Sequence, residues 1–205
     1  MTPKVTAEKK KLILDTIVSA AETLFGNKGY HGTSMDDIVK ESGYSKGAIY
    51  GHFDSKEQLF LAVLDRQTGA SLEAMRSHFS PDDSAWTKLE KILNMETDSI
   101  SRLSDEQCRL SFEIQLQISR QESWRSKMEQ QYARALRFIA EIVEDGIRTG
   151  EFEQDVDAES VAAILVGASN GLSLYSLVTS KPFNWKKIND TLGAILHRGL
   201  VATSK

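Results

Sequence analysis

Apolar residues recur every three or four positions along most of this chain, which is the spacing of a helix that buries one face. The three prolines stand at positions 3, 81 and 182, so two long stretches contain no residue that breaks a helix. No run of β-branched and aromatic residues shows the two-residue alternation of a half-buried strand. The pattern therefore predicts an all-α fold.

The periodic segments predict about nine helices, separated by glycines and by residues that cap a helix start. Gly29, Gly43 and Gly150 each follow such a segment and can adopt the left-handed conformation that ends a helix. The predicted helices span about 8–27, 33 or 34–42, 45–53, 55–80, 84–102, 104–120, 122–149, 157–180 and 184 onward. We expect a small domain at 1–55, a connecting helix at 56–80 and a larger helical domain at 81–205.

The segment that follows the first helix carries the most specific local pattern, two short predicted helices joined by a tight turn. Asp36 and Asp37 follow Thr33 and Ser34 by three residues, which is the spacing of a capping box at a helix start. Gly43 marks the turn, and a long helix comes after the second short one. A helix-turn-helix has this layout and places its second helix in a DNA major groove.

The second short helix has one apolar face and one face of short or polar groups. Ile49 and Phe53 lie four residues apart and would face the core. The opposite face offers Ser45, Lys46, Gly47, Ala48, Tyr50 and His52, with Lys56 just beyond the helix. Amides of a helix start and a lysine attract phosphate, small side chains permit close approach to base edges, and the later polar groups would reach flanking phosphates.

Together these positions resemble the N-terminal DNA-binding domain of the TetR/AcrR family of transcriptional regulators and, within it, YfiR-like members. Over about the first sixty residues, the caps, turn glycine, recognition helix and following clamp all fall in register. The resemblance rests on Phe25, Gly29-Tyr30, Thr33-Ser34, Asp37-Ile38, Gly43 to Gly47, Ile49-Tyr50, His52-Phe53 and Ser55 to Leu59. The rest of the chain matches only in the number and order of helices.

The resemblance implies phosphate contacts at the start of the second helix, base contacts at the start of the third, and backbone contacts beyond it. These contacts fall on Thr33, Ser34, Ser45, Lys46, Gly47, Ala48, Tyr50, His52 and Lys56. Gly51 departs from the family pattern, because many members carry an aromatic or polar side chain there. A glycine weakens so short a helix by about 1 kcal/mol. We therefore expect a loosely held recognition helix until DNA is bound.

The overall charge does not indicate a nucleic-acid partner, because 25 basic and 29 acidic residues leave a net charge of −4. Residues 1–60 hold eight lysines and eight acidic residues and are neutral. A basic footprint exists only locally, at Lys4, Lys9, Lys10, Lys11, Lys46 and Lys56. The lysines at the first helix are explained equally well as solvated surface. We expect modest affinity for non-specific DNA and a need for a dimer in tight binding.

The resemblance also implies a cavity for a small-molecule effector among the middle helices, without identifying its residues. Aromatic and amide side chains that converge in a helical core suit such a mixed cavity. The candidates are Trp86, Phe112, Gln115, Trp124, Tyr132 and Asn170. Taken singly, each aromatic residue is better explained as part of the core.

The last two predicted helices have features of an interface between two copies. The stretch from Val161 to Ser180 is uncharged, Gly167 and Gly171 permit close helix approach, and Leu192 and Leu196 belong to an apolar stripe. Burial within one chain explains these features equally well. The resemblance implies a homodimer paired through both helices, with recognition helices about 34–36 Å apart on a near-palindromic operator. The uncharged stretch is long enough to span a bilayer but too polar to be a good candidate.

Composition argues against several other classes. Cys108 is the only cysteine, which excludes a disulfide framework and a cysteine-rich zinc site, and we expect it to be a buried apolar group. His31, His78 and His197 lack metal-ligand spacing, so neither a metal nor a cofactor is expected. No acid–base or nucleophile pattern indicates an enzyme. We expect a cytoplasmic, ligand-responsive repressor; an activator, an all-α enzyme and an interaction module without DNA binding are the alternatives.

Overall fold

The predicted all-α class is confirmed in the computed structural model, which describes residues 7–102, 108, 112, 115–116, 122–179 and 183–202. These residues contain eight helices: α1 (Ala7–Gly32), α2 (Met35–Ser42), α3 (Lys46–Tyr50), α4 (Lys56–Ser77), α5 (Ala85–Arg102), α6 (Glu122–Thr149), α7 (Ala158–Val178) and α8 (Trp185–Leu200). The predicted helix at 104–120 lies mostly outside the described residues, although positions 108, 112, 115 and 116 are helical.

The chain divides into two compact units, residues 1–69 and residues 70–205. The division falls inside α4, the helix that the sequence predicts as the connection between two domains. Each unit has its own buried apolar residues, so each is described by itself.

Unit one is organised by an aromatic cluster between α1 and α4. The rings of Phe25, Tyr30 and Phe60 have centroids 5.0–5.7 Å apart in tilted and edge-on arrangements, which aromatic quadrupoles favour. At the other end of the contact, Arg66 of α4 binds the Glu22 carboxylate and donates to the Ser19 hydroxyl at 2.7 Å. These contacts hold α1 and α4 together around α2 and α3.

Two glycines shape the chain between α1 and α3, as the sequence predicts. Gly29 has φ 73° inside α1, and the helix resumes beyond this kink to Gly32 instead of ending near Asn27. Gly43 has φ 72° and ends α2 in the left-handed conformation. A β-carbon is disfavoured at such angles, so both turns depend on glycine.

Unit two has a core cluster contributed by α5, α6, α7, α8 and the loop after α6. Its fully or nearly fully buried members include Leu89, Phe138, Val143, Phe152, Ala162 and Leu200. Gly146 permits the tightest approach in this cluster, because a β-carbon there would lie 2.3 Å from the Phe152 ring and 2.9 Å from the Ala85 β-carbon. The absence of a side chain at Gly146 therefore determines how closely α6 can approach α5.

The loop after α6 also caps α5, a contact that sequence spacing does not predict. The Glu151 carboxylate accepts hydrogen bonds from the backbone amides of Ala85 and Trp86, at 2.7 and 3.0 Å. These amides belong to the first turn of α5, where no helix carbonyl is available to them. Glu151 thereby joins the start of one helix to the end of another, 65 residues apart in sequence.

Candidate nucleic-acid interface

The start of α2 is fixed by the predicted capping box, and Ser34 is the residue that forms it. The Asp37 amide donates to the Ser34 hydroxyl at 3.1 Å, while the Ser34 amide donates to the Asp37 carboxylate at 2.9 Å. Hydrogen bonds from Ser34, followed by one from Lys28, lower the pKa of Asp37 from 3.8 to about 2. Ser34 is exposed and lies at the helix start, as a phosphate contact requires.

The position of α3 is set by burial on one side and by a cap at its start. Ile49 is fully buried, as is Ile38 of α2, and Phe53 beyond the helix is also buried. The Ser45 hydroxyl accepts from the Ala48 amide at 3.2 Å. The regular helix ends at Tyr50, although Gly51 keeps a helical conformation (φ −72°, ψ −12°) and the amides of Gly51 and Phe53 still donate to the carbonyls of Gly47 and Ile49, at 3.0 and 2.9 Å. The expected division into a buried and an exposed face is nevertheless confirmed for these side chains.

The exposed face of α3 carries the small and polar residues that the sequence singles out. Lys46 and Gly47 are exposed, and Tyr50 is 40% exposed, which is high for an aromatic side chain. The Lys46 ammonium lies 2.9 Å from the Asp36 carboxylate and 6.0 Å from the centroid of the Tyr50 ring. The hydrogen bond to Asp36 raises the pKa of Lys46. Ala48 completes this face and is half-buried, and His52 just beyond the helix is half-buried as well.

Thr33, a predicted phosphate contact, has its hydroxyl engaged within the domain, which does not favour that role. Its side chain is buried, and its hydroxyl lies within hydrogen-bonding distance of the carbonyls of Gly29 and Leu24, at 2.8 and 3.2 Å. The hydroxyl therefore holds the end of α1 and is turned away from any ligand. The sequence could not separate Thr33 from Ser34, because either hydroxyl has the spacing of a cap.

Lys56 is likewise engaged within the domain. Its ammonium donates to the carbonyls of Tyr30 and Thr33, both at 2.8 Å, and lies 4.3 Å from the centroid of the Tyr30 ring. Burial and the neighbouring Glu57 raise the pKa of Tyr30. Lys56 thus fastens α4 to the segment between α1 and α2, and two of its three donors are occupied before any DNA arrives.

The predicted effector residues lie on several helices of unit two. Trp86 packs against the core cluster at the start of α5, with its ring edge-on to the His197 ring at 4.8 Å. Tyr132 and Asn170 are half-buried in the middle of α6 and α7, and Trp124 is buried near the start of α6. Trp86 is therefore better explained as a core residue, and the others stay predictions. Phe112 and Gln115 are half-buried positions in a segment of which only a few residues are described.

The potential metal ligands in the part of the chain that the structure describes are His, Cys, Asp and Glu side chains. No group of three or more His, Cys, Asp or Glu side chains in these residues is arranged to hold a metal ion. Cys108 is buried, as expected for a small apolar side chain. By length and composition alone α7 could cross a membrane, but Ala158, Ala162 and Leu165 on it belong to the core cluster of unit two.

The layout of this protein is a helix-turn-helix unit followed by a larger helical unit. This layout is typical of ligand-responsive transcriptional regulators. Residues 17–63 match the family model "Bacterial regulatory proteins, tetR family", and residues 88–182 match "Tetracyclin repressor-like, C-terminal domain". The chain belongs to the TetR family of bacterial transcriptional regulators. Members of this family and the relatives of this chain are transcriptional regulators and not enzymes.

The matches to relatives span most of this chain and most of each relative. The uncharacterised regulator YfiR of Bacillus subtilis is 28% identical over 172 residues, which are 84% of this chain and 83% of YfiR. The FadR structure from Bacillus subtilis, in complex with stearoyl-CoA, has TM-score 0.68 at 21% identity and covers 90% of this chain and 98% of its own. A Saccharomonospora viridis regulator in complex with choline has TM-score 0.72 at 20% identity, covering 94% and 100%. These two structures share the fold.

Proposed function

We propose that this protein is a cytoplasmic repressor that binds a palindromic operator as a homodimer and is released by a small-molecule effector. The observation that carries the proposal is the exposed face of α3, where Lys46, Gly47 and Tyr50 are accessible to solvent while the buried Ile49 anchors the helix from behind. Recognition helices of this kind place short side chains against base edges and longer polar groups against phosphates.

The proposed contacts divide according to what the structure leaves accessible. Lys46, Gly47 and Ala48 approach bases together with Ser45, and Tyr50 and His52 reach the phosphate backbone. Ser34 contributes from the start of α2. Thr33 is omitted because its hydroxyl is engaged internally, and Lys56 can offer only its remaining donor.

Support for a homodimer comes from an apolar stripe on α7 that unit two leaves uncovered. Ile164, Leu174, Tyr175 and Val178 are 48–74% exposed. Their helical spacing puts them on one face with Gly167 and Gly171, at which an added β-carbon would meet nothing within 4 Å. Ile195 of α8 is 63% exposed. Large apolar side chains around a small-residue centre are suited to close packing against a second copy.

Substitutions on α3 test the DNA proposal. Lys46→Ala and Tyr50→Ala should each weaken binding to the operator in a gel shift, since both remove an exposed group from the recognition face. Lys40→Ala, on the exposed surface of α2, removes a comparable positive charge and serves as a control. Unchanged binding by both α3 variants, or an equal loss in the control, would contradict the assignment. Complete absence of salt-dependent DNA binding by the wild type would favour an interaction module.

The dimer proposal has its own test in sedimentation velocity. Gly171→Arg places a long cation in the centre of the apolar stripe and should convert the protein to a monomer. Ala133→Arg, on the exposed surface of α6, introduces the same side chain away from the stripe and should leave the dimer intact. A wild-type monomer at micromolar concentration, or a dimer that tolerates Gly171→Arg, would show that the stripe is not the interface.

A further inference from the structure

Among the described residues, the core cluster of unit two takes one half of each of four helices. The cluster and the partly buried residues packed against it extend along α5 as far as Met95 and along α7 as far as Val166. On α6 they begin at Leu136, and on α8 they begin at Leu192. The remaining halves of these helices therefore lie together on the other side of the cluster. Hydrogen bonds between α5 and α8 support this placement, because Thr97 and Asn94 both bond to Asn189, at 3.1 and 2.6 Å.

Glu96 continues the buried face of α5 into this second half. It follows Leu89 by seven residues and Ile92 by four, so it falls on the same side of the helix as these two core residues. Burial raises the pKa of its carboxyl. An acidic side chain in the row that elsewhere carries leucine and isoleucine is costly unless something compensates for its charge.

No such compensation is present in the described part of the chain. Glu96 has neither a hydrogen bond nor an ion pair there, and burial is the sole influence on its pKa. Lys91 precedes Glu96 by five residues on α5. Its ammonium donates to the Asp83 carboxylate at 2.6 Å and to the His78 carbonyl at 3.0 Å. On α8, Lys186 is exposed and pairs with Asp190 at 2.6 Å.

The facing surface of α6 offers an aromatic ring near the same level. Ala85 lies beside Gly146, so α5 and α6 run in opposite directions from that point. At a rise of 1.5 Å per residue, Glu96 lies about 16 Å along α5 from the contact between Ala85 and Gly146. Tyr132 lies about 21 Å along α6 from the same contact. Tyr132, at two intervals of seven residues before Gly146, falls on the same face of α6, and burial raises its pKa.

Neither group is fully sealed from solvent. In the described residues, no side-chain nitrogen or oxygen is both inaccessible to solvent and without a hydrogen bond. The Glu96 carboxylate and the Tyr132 hydroxyl therefore retain some accessible surface. A carboxylate and an aromatic ring are the two groups that recognise an organic cation.

The geometry points to Glu96 as the counter-ion of a cationic, partly apolar effector that binds between α5 and α6, with Tyr132 beside it. This inference rests on the proposed function for the regulatory consequence of binding, but not for binding itself. A carboxylate-bearing effector is disfavoured at the same place, because two like charges would meet in a desolvated setting.

Titration calorimetry on the full-length wild type tests the site directly. The probes are butyl-, hexyl- and octyltrimethylammonium, with octanoate and octanol as anionic and neutral counterparts. We expect the cations to bind more tightly than both counterparts, and Glu96→Gln to weaken cation binding by about tenfold or more. Glu90→Gln, on the exposed face of α5, is the matched control and should change nothing. Thermal unfolding without ligand confirms that Glu96→Gln folds.

The inference is overturned if no cation in the series binds, if octanoate binds more tightly, or if Glu96→Gln binds the cations as the wild type does. A gel shift with operator DNA separates this result from the proposed function. Failure of cation binding by a protein that still binds its operator rejects the effector class alone. Cation binding that requires Glu96 but leaves operator occupancy unchanged supports the site and rejects release by this effector.

Discussion

Replacing Gly146 with alanine is a direct test of how α6 packs in unit two. The new β-carbon would lie 2.3 and 2.5 Å from two atoms of the Phe152 ring and 2.9 Å from the Ala85 β-carbon, all below any normal contact distance. Forced shifts of this kind in a packed core cost about 1–3 kcal/mol. Alanine recovers up to about 1 kcal/mol as the better helix former. When the full helix gain is counted, we therefore expect a net loss of up to about 2 kcal/mol in the free energy of unfolding.

Denaturant unfolding of matched variants measures this loss. Gly199→Ala is the control, because its β-carbon would meet nothing within 4 Å and the change should be neutral or stabilising. In a Phe152→Val background the cost of Gly146→Ala should fall, since the two nearest ring atoms are gone. A Gly146→Ala variant as stable as Gly199→Ala, or a cost that Phe152→Val leaves unchanged, would refute the packing described for this loop.

Three further predictions concern a cap, a carboxyl and a charge pair. Glu151→Ala should lower stability by about 1 kcal/mol in denaturant unfolding, because two amides of α5 lose their acceptor, whereas the exposed Asp155→Ala should not. The lowered pKa of Asp37 contributes stability above pH 4 that is lost as pH falls towards 2, so Asp37→Asn should flatten this limb of an acid unfolding curve. Asp36→Asn should raise DNA affinity severalfold by fluorescence anisotropy at low salt, because it frees Lys46 and removes a negative charge from the interface; unchanged affinity would count against that surface.

Local sequence signals were sufficient for the DNA-binding unit. The capping box at Ser34, the left-handed Gly43 and the buried Ile49 are each determined by residues within a few positions, and all three were predictable. The regular part of α3 ends three residues before the predicted end, although helical hydrogen bonds continue as far as the Phe53 amide.

Features that depend on distant partners were not predictable from one sequence. Thr33 and Ser34 have equivalent cap spacing, and only the approach of the Leu24 carbonyl shows which hydroxyl is turned inward. Glu151 reads as part of an acidic loop until α5 is placed beside it. Glu96 follows Leu89 by seven residues in an otherwise apolar row, and this position is visible in the sequence. The signal that could have found it is a charged residue on the buried face of a predicted helix.

The central claim is that α3 reads DNA and that pairing of two chains places a second α3 on the same duplex. Selection of bound sequences from random duplex DNA by the full-length wild type tests both halves of this claim at once. The account predicts two inverted copies of one short motif, with centres about 34–36 Å apart or a multiple of that distance. Enrichment of a single unrepeated motif, or of no motif at all, would contradict it.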